Sequence, residues 1–201
     1  RITKKMAKEG PFVDITGTYD IVRRQPVMKV DRILRKRNGI YHALIPGGME
    51  HNLLMGMPRE PTMFREVSRE CRCKGVHITP GGCSWLHAVV SIKKRNENDG
   101  KKAINAAFRG HRSLKHVVVV DDDIDIYDPL SVEWAISTRF QADKDRVTRK
   151  ERGSSLDPSS DQKTRITCKV GIDATKPLGR RAKEFRKATG LKVDLKKYLK
   201  R

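Results

Sequence analysis

The sequence predicts an α+β fold in which the tail of a β-rich domain is followed by an α/β domain with a largely parallel sheet. Three observations predict it. Lys115–Val120 carries four consecutive valines, the composition of a strand buried on both faces. Between Pro61 and Ile136, short apolar strands alternate with helical patterns at the spacing of a layered α/β domain. Ahead of Pro58, short alternating segments are separated by Gly and Pro turn signals.

Taken in order, Arg1–Tyr19 ends in Gly-Pro and Thr-Gly-Thr signals and reads as turns rather than helix. Pro26–Leu34 reads as an exposed strand and Arg35–Gly39 as a turn. Ile40–Ile45 reads as the partner strand, with Pro46-Gly47-Gly48 closing the hairpin. Met63, Phe64 and Val67 lie at helical spacing within Pro61–Arg72, and Gly75–Ile78 and Ala88–Ile92 read as strands. Ala103, Ile104 and Ala107 form one face of a helix over Gly100–Phe108. Asp128 is an N-cap and Pro129 a first-turn proline for a helix through Ile136. Val147–Asp161 reads as a loop rich in Ser, Asp and Arg, and Leu178–Ala188 as a basic terminal helix. No internal repeat is present.

The chain has 201 residues, 37% of them hydrophobic and 34% charged. It is too apolar and too well patterned for a disordered chain. No apolar run approaches the roughly 20 residues that cross a bilayer, so no membrane role is expected. The first residue is Arg1 and nothing near it resembles a signal peptide, which leads us to expect the back part of a longer, cytoplasmic protein. Lys and Arg total 44 against 24 Asp and Glu, a net charge of +20. Eleven basic residues against Glu184 and Asp194 fall in Lys176–Arg201, so nearly half the excess lies at the chain end. Such a balance suits an anionic partner. Aromatics are only 5%, and no zinc-finger spacing or RNP-like run appears, so nucleic-acid binding is a minor expectation.

Cys71, Cys73, Cys83 and Cys168 do not make the paired spacing of a structural zinc site, and they read as reduced, mostly buried thiols. Asp121-Asp122-Asp123-Ile124-Asp125 follows the valine strand, where α/β proteins place ligands. Magnesium-assisted phosphoryl transfer is one reading, but no G-x-x-x-x-G-K-[ST] loop accompanies it. The other reading has these acids capping the next helix and pairing with nearby cations. Lys115 opens the same strand as a phosphate contact or as a solvated strand start.

Glu9-Gly10-Pro11-Phe12-Val13-Asp14 is the most informative stretch. Gly-Pro forces a bend between two carboxylates, and a buried phenyl ring beside an acid would raise its pKa by desolvation, as proton donation requires. An ordinary acidic turn would show the same spacing.

EGPFVDITGTYD (Glu9–Asp20) resembles the active-site segment of the UbiD-type decarboxylases, which use prenylated FMN. The likeness continues through YHALIPGGMEHNLLMGMPREP, KHVVVVDDDIDI and VEWAISTRF to SSLDPSS (Ser154–Ser160) and GIDATKP, in the family's order. Val13, Thr18 and the final LKVDLKKYLKR look most like the archaeal members, many of which decarboxylate trans-anhydromevalonate 5-phosphate in isoprenoid synthesis. The resemblance implies the end of a split β-barrel flavin domain over residues 1–56 and an α/β domain with a basic tail over 57–201. It makes Asp14 the catalytic acid, Glu9 its partner in a glutamate–arginine–acid network, and Lys115 a contact near the flavin phosphate. The network arginine, most flavin contacts, and the ligands for manganese and potassium are expected upstream of Arg1. DDDID then becomes structural, and the fragment alone is expected to be inactive.

The expected function is therefore non-oxidative decarboxylation of an unsaturated carboxylic acid. The expected partners are that small-molecule substrate, further copies of the chain, and a flavin prenyltransferase that supplies the cofactor. Two alternatives are decarboxylation of a polyprenyl-hydroxybenzoate-type aromatic acid and an RNA- or polyanion-binding role through the final 26 residues.

Overall fold

Strand β1 (Ile2–Glu9) pairs antiparallel with β2 (Arg23–Met28), placing Glu9 across from Arg23. The computed structural model describes residues 1–185, 187, 188, 194, 197 and 198. Gly10 and Gly17, at φ +90° and +70°, reverse the chain between the two strands, and a Val13–Tyr19 bridge closes the excursion. Positive φ is the conformation that glycine adopts without steric cost.

This hairpin corrects the expected one. The partner of β2 is the amino-terminal segment, not Ile40–Ile45, which forms no strand. Ile40 and Tyr41 are almost fully exposed, so that segment buries no apolar face that could hold it in a ladder. The Lys36–Gly39 turn forms, but no paired strands flank it.

Helix α1 (Met49–Gly56) and a single 3₁₀ turn (Met57–Arg59) lead into α2 (Glu60–Glu70), which buries Met63 and Val67 as their spacing predicts but leaves Phe64 exposed at the edge of that face. A five-stranded sheet follows, ordered β3 (Arg72–Ile78), β4 (His87–Lys93), β5 (His116–Asp121), β7 (Ile166–Ala174) and β6 (Arg146–Arg152). The central strands β4, β5 and β7 are parallel, whereas both edges, β3 and β6, run antiparallel. The sheet is thus mixed rather than largely parallel. Residues 79–86 hold one 3₁₀ turn and the β6–β7 connection holds no helix, and a parallel pairing needs a longer crossover.

Strand β6 lies in a segment expected as loop. Its half-buried residues alternate with exposed ones, but Arg149 and Glu151 occupy the inward positions, so charge hides the strand period. Helix α3 (Asp99–Gly110) covers one face of the sheet, where Ala103, Ile104 and Ala107 meet Val90, Val117 and Val119. Helix α4 (Pro129–Arg139) covers part of the other, where Val132 and Ala135 meet Val118 and Val120. The valine run is buried on both faces, as expected. Asp128 caps α4, its carboxylate accepting from the Leu130 and Ser131 amides.

Arg180–Phe185 is a 3₁₀ turn, not the expected α-helix, and most of the basic tail, LKVDLKKYLKR included, lies outside the described residues. The four cysteines are unpaired, but only Cys73 is buried. Cys168 is exposed on the outward alternation of β7, between buried Thr167 and Lys169, which corrects the expectation of mostly buried thiols. Burial pushes the Cys71 thiol up to about 12 and that of Cys73 to about 11, so neither is a ready nucleophile. Among the described residues, no helix is long and apolar enough to cross a membrane.

Candidate active site

Two loops far apart in sequence meet at Asp14. In the first, the Asp14 amide donates to the Thr18 carbonyl (3.1 Å) and the Gly17 amide to the Asp14 carbonyl (2.8 Å). Ile15, 1% exposed, pins this turn in the interior. The Ile15 amide donates to Oδ1 of Asp14 at 2.7 Å, while Oδ2 has no hydrogen-bond partner among the described residues. Gly47, at φ +72°, backs the turn so closely that a Cβ there would lie 3.0 Å from Val13 Cγ1 and 3.1 Å from the Asp14 carbonyl oxygen.

The second loop is the Ser154–Ser160 segment. Ser154 Oγ accepts from the buried Trp85 indole at 3.0 Å. Asp157, 2% exposed, accepts from Lys115 at 2.9 Å, the Ser159 amide at 3.0 Å and the Thr167 hydroxyl at 3.0 Å. Burial pushes this carboxyl up, but the Lys115 and Ser159 hydrogen bonds outweigh it and hold the group below its ordinary range. Lys115 also donates to the Ser159 hydroxyl. Between the loops lies a cavity of about 220 Å³, lined by Asp14, Thr18 and Ile21 on one side and Ser155, Leu156 and Gln162 on the other.

The structure thus brings Asp14 to a cavity and keeps the other two expected residues off its wall. Glu9 is exposed at the end of β1, its carboxylate without a hydrogen bond or ion pair among the described residues. Arg23, across the ladder from it, pairs instead with Asp20. Phe12 is 61% exposed, so the expected buried phenyl ring beside the acid is not there; the bend at Gly10 turns it outward. Lys115 is neither a solvated strand start nor a cavity residue, because it is engaged by Asp157 and Ser159. The Ser155–Gln162 wall was not singled out as a site, although the serines flanking Asp157 are the composition of a side-chain-capped turn.

The DDDID run is structural. Arg139, fully buried, bridges Asp121 (3.0 Å) and Asp123 (3.1 Å), and Lys176 adds a second cation to Asp123 at 2.7 Å. Burial pushes the Asp121 carboxyl up against the pull of the Lys176 amide and Arg139, while the Arg139 and Lys176 hydrogen bonds overcome burial at Asp123 and hold it down. No cluster of three or more His, Cys, Asp or Glu among the described residues could hold a metal ion.

These residues do not by themselves fit a flavin. The cavity is about 220 Å³, and Lys115, the one expected phosphate contact, has its ammonium occupied by a carboxylate and a hydroxyl. What they offer is a held carboxyl group with one oxygen free, beside a wall that is part apolar and part polar.

A short hairpin followed by a mixed five-stranded α/β sheet is a fold this chain shares with solved UbiD-class enzymes. The chain belongs to the 3-octaprenyl-4-hydroxybenzoate carboxy-lyase family: residues 1–49 match its Rift-related domain and residues 52–174 its C-terminal domain. It is 56% identical over 190 residues to the anhydromevalonate phosphate decarboxylase of Methanocaldococcus jannaschii, covering 94% of this chain and 45% of that protein. It is 35% identical over 189 residues to the gallate decarboxylase of Lactiplantibacillus plantarum, covering 87% and 38%. The UbiD-class enzyme HmfF from Pelotomaculum thermopropionicum, solved in complex with FMN, superposes with a TM-score of 0.89 at 40% identity, covering 98% of this chain and 45% of that one. An evolved dimeric form of HmfF in complex with prFMN superposes at 0.80 and 38% identity, covering 98% and 42%. The chain spans less than half the length of each of these relatives.

Proposed function

We propose that the chain is the carboxyl-terminal part of a decarboxylase that uses prenylated FMN and acts on trans-anhydromevalonate 5-phosphate. The observation that carries this reading is the gradient of identity, 56% to an anhydromevalonate phosphate decarboxylase against 35% to a gallate decarboxylase. In this reading residues 1–56 complete a split-barrel flavin domain and 57–201 form the α/β domain. The flavin, manganese and potassium are held by the part of the protein that supplies the rest of the family's length. The cytoplasmic enzyme works as a homo-oligomer loaded by a flavin prenyltransferase.

This chain's contribution is the handling of a proton. The Ile15 amide holds Oδ1 of Asp14, which leaves Oδ2 to carry the proton to the carbon that loses its carboxylate. Glu9 is the tuning partner, coupled to Asp14 through an arginine from the remainder of the protein. Leu156 and Pro158 present apolar surface to the substrate, and Ser155 and Gln162 present hydrogen-bonding groups. Lys115 acts at one remove, by holding in place the Asp157–Ser159 turn that walls the cavity.

The test is turnover by the full-length protein, produced together with a flavin prenyltransferase. We expect carbon dioxide release from trans-anhydromevalonate 5-phosphate with kcat/KM at least about a hundredfold above that for gallate or 4-hydroxybenzoates, the discrimination a site built around a phosphate and an aliphatic chain gives. Preferential turnover of the aromatic acids would move the enzyme to the polyprenyl-hydroxybenzoate type.

A further inference from the structure

A second cavity, of about 420 Å³, lies between the end of α3 and the β6–β7 edge, lined by none of the residues of the Asp14 cavity. Arg109 and Arg112 border it from the end of α3, Arg149 and Arg152 from β6, and Lys169 from β7, against the single acid Glu151. The β6–β7 register sets Arg149 directly opposite Lys169. Like charges at directly opposed positions of an antiparallel pair repel. Lys169, 1% exposed, is accounted for by Glu151 (3.0 Å), the Arg112 carbonyl (2.6 Å) and the Phe108 ring. Arg109 pairs with Glu70. Arg112, Arg149 and Arg152 have no side-chain hydrogen bond or ion pair with any described residue.

Protection of an edge strand does not explain this arrangement. Arg146 and Lys150, exposed on the opposite alternation of β6, already discourage another strand from pairing there. Arg149 instead shares the inward alternation with Val147, which packs against the core under α3. An inward arginine facing a buried lysine is held at an electrostatic cost that a bound anion would remove.

We propose that this cleft binds a small polyanion carrying at least two phosphate groups. Planar guanidinium forks match phosphate oxygens two at a time, and Arg112, Arg149 and Arg152, with no side-chain partner among the described residues, supply donors for more than one phosphoryl group. A single-stranded nucleic acid is the poorer fit, because it needs exposed rings for stacking, and the one aromatic here, Phe108, is 2% exposed. The proposal is independent of the decarboxylase reading.

The experiment titrates the full-length protein with inorganic pyrophosphate by calorimetry, with citrate and poly(U) as competing probes. We expect saturable pyrophosphate binding whose Kd rises about tenfold or more when Arg112→Gln and Arg149→Gln are combined, the loss of charge-assisted contacts. Arg146→Gln, on the outer face, should stay within about twofold, which separates the cleft from the general positive field. Because the double variant removes charge near a buried lysine, phenylglyoxal labelling of the unaltered protein supplies a second readout: pyrophosphate should shield Arg112 and Arg149 but not Arg146. Absence of saturable binding, equal weakening by Arg146→Gln, or labelling of Arg112 and Arg149 that pyrophosphate does not slow would overturn the proposal. So would tighter binding of poly(U) or citrate at the same arginines, in favour of a nucleic-acid or a carboxylate site.

Discussion

The ammonium of Lys115 stands 2.9 Å from Oδ2 of Asp157 and ties the start of β5 to the loop that walls the Asp14 cavity. Removing the cation strands a carboxylate whose side chain is only 2% exposed. Lys115→Met should therefore cost about 3 kcal/mol of folding stability, the scale for breaking a buried pair from one side. Adding Asp157→Asn should recover part of that loss, because no uncompensated charge remains. Urea unfolding of the two variants decides it: a loss under about 1 kcal/mol for Lys115→Met would mean that solvent already screens the pair.

Asp14 makes one hydrogen bond through Oδ1 and lines the cavity. Asp14→Asn keeps an oxygen for the Ile15 amide and removes the transferable proton. In the full-length, cofactor-loaded enzyme kcat should fall by about a hundredfold or more, with the flavin absorbance spectrum unchanged. Wild-type turnover by this variant would remove Asp14 from the acid role.

Gly47 touches the same turn from behind. A methyl group there meets Val13 Cγ1 at 3.0 Å and the Asp14 carbonyl at 3.1 Å, on a residue at φ +72°. Gly47→Ala should destabilise by about 1–2 kcal/mol from the left-handed conformation alone. It should also lower kcat, by displacing Asp14. Gly17→Ala, at φ +70° but with open space around it, is the matched control: similar strain without the contact. Equal effects on kcat from both would show that the contact at Gly47 is irrelevant.

Burial lowers the imidazole pKa of both His87 and His111 to about 4, from an ordinary value of 6.5. Between pH 6.5 and 4 the unfolded chain takes up protons that the native rings refuse, so stability falls as the pH falls. The slope is up to about 1.4 kcal/mol per pH unit for each ring. The carboxyls held low, Asp157 and Asp123 among them, contribute only as the pH drops below the ordinary carboxylate range. Urea midpoints measured from pH 7.5 to 4.5 should decline below pH 6.5, and His87→Gln should flatten the decline. A level profile over that span would mean that the two rings take up protons in the native state as readily as in the unfolded chain.

Legibility in the sequence followed burial. Met63 with Val67, Ala103 with Ile104 and Ala107, and the Val117–Val120 run were readable because each presents a clean apolar period to one core. The β6 strand was not, because two of its inward positions are the charged Arg149 and Glu151, and the Lys169 that pairs with Glu151 lies on another strand. The pairing of β2 is hidden for a related reason: Ile40–Ile45 looks apolar in sequence, but nothing in the described structure buries it.

By itself the sequence determined the α/β layering, the cap at Asp128, the bend at Gly10, Asp14 as the candidate acid and, through its ordered motifs, the family. These rest on local rules or on contiguous residues, which a one-dimensional string preserves. Only the tertiary structure decided that the sheet is antiparallel at both edges and that Phe12 faces solvent. It alone showed that Lys115 is held by Asp157, and that a loop some 140 residues downstream of Asp14 forms the opposite wall of its cavity. Those facts depend on which distant groups meet, and that is set by the joint burial of many side chains rather than by any one segment's pattern.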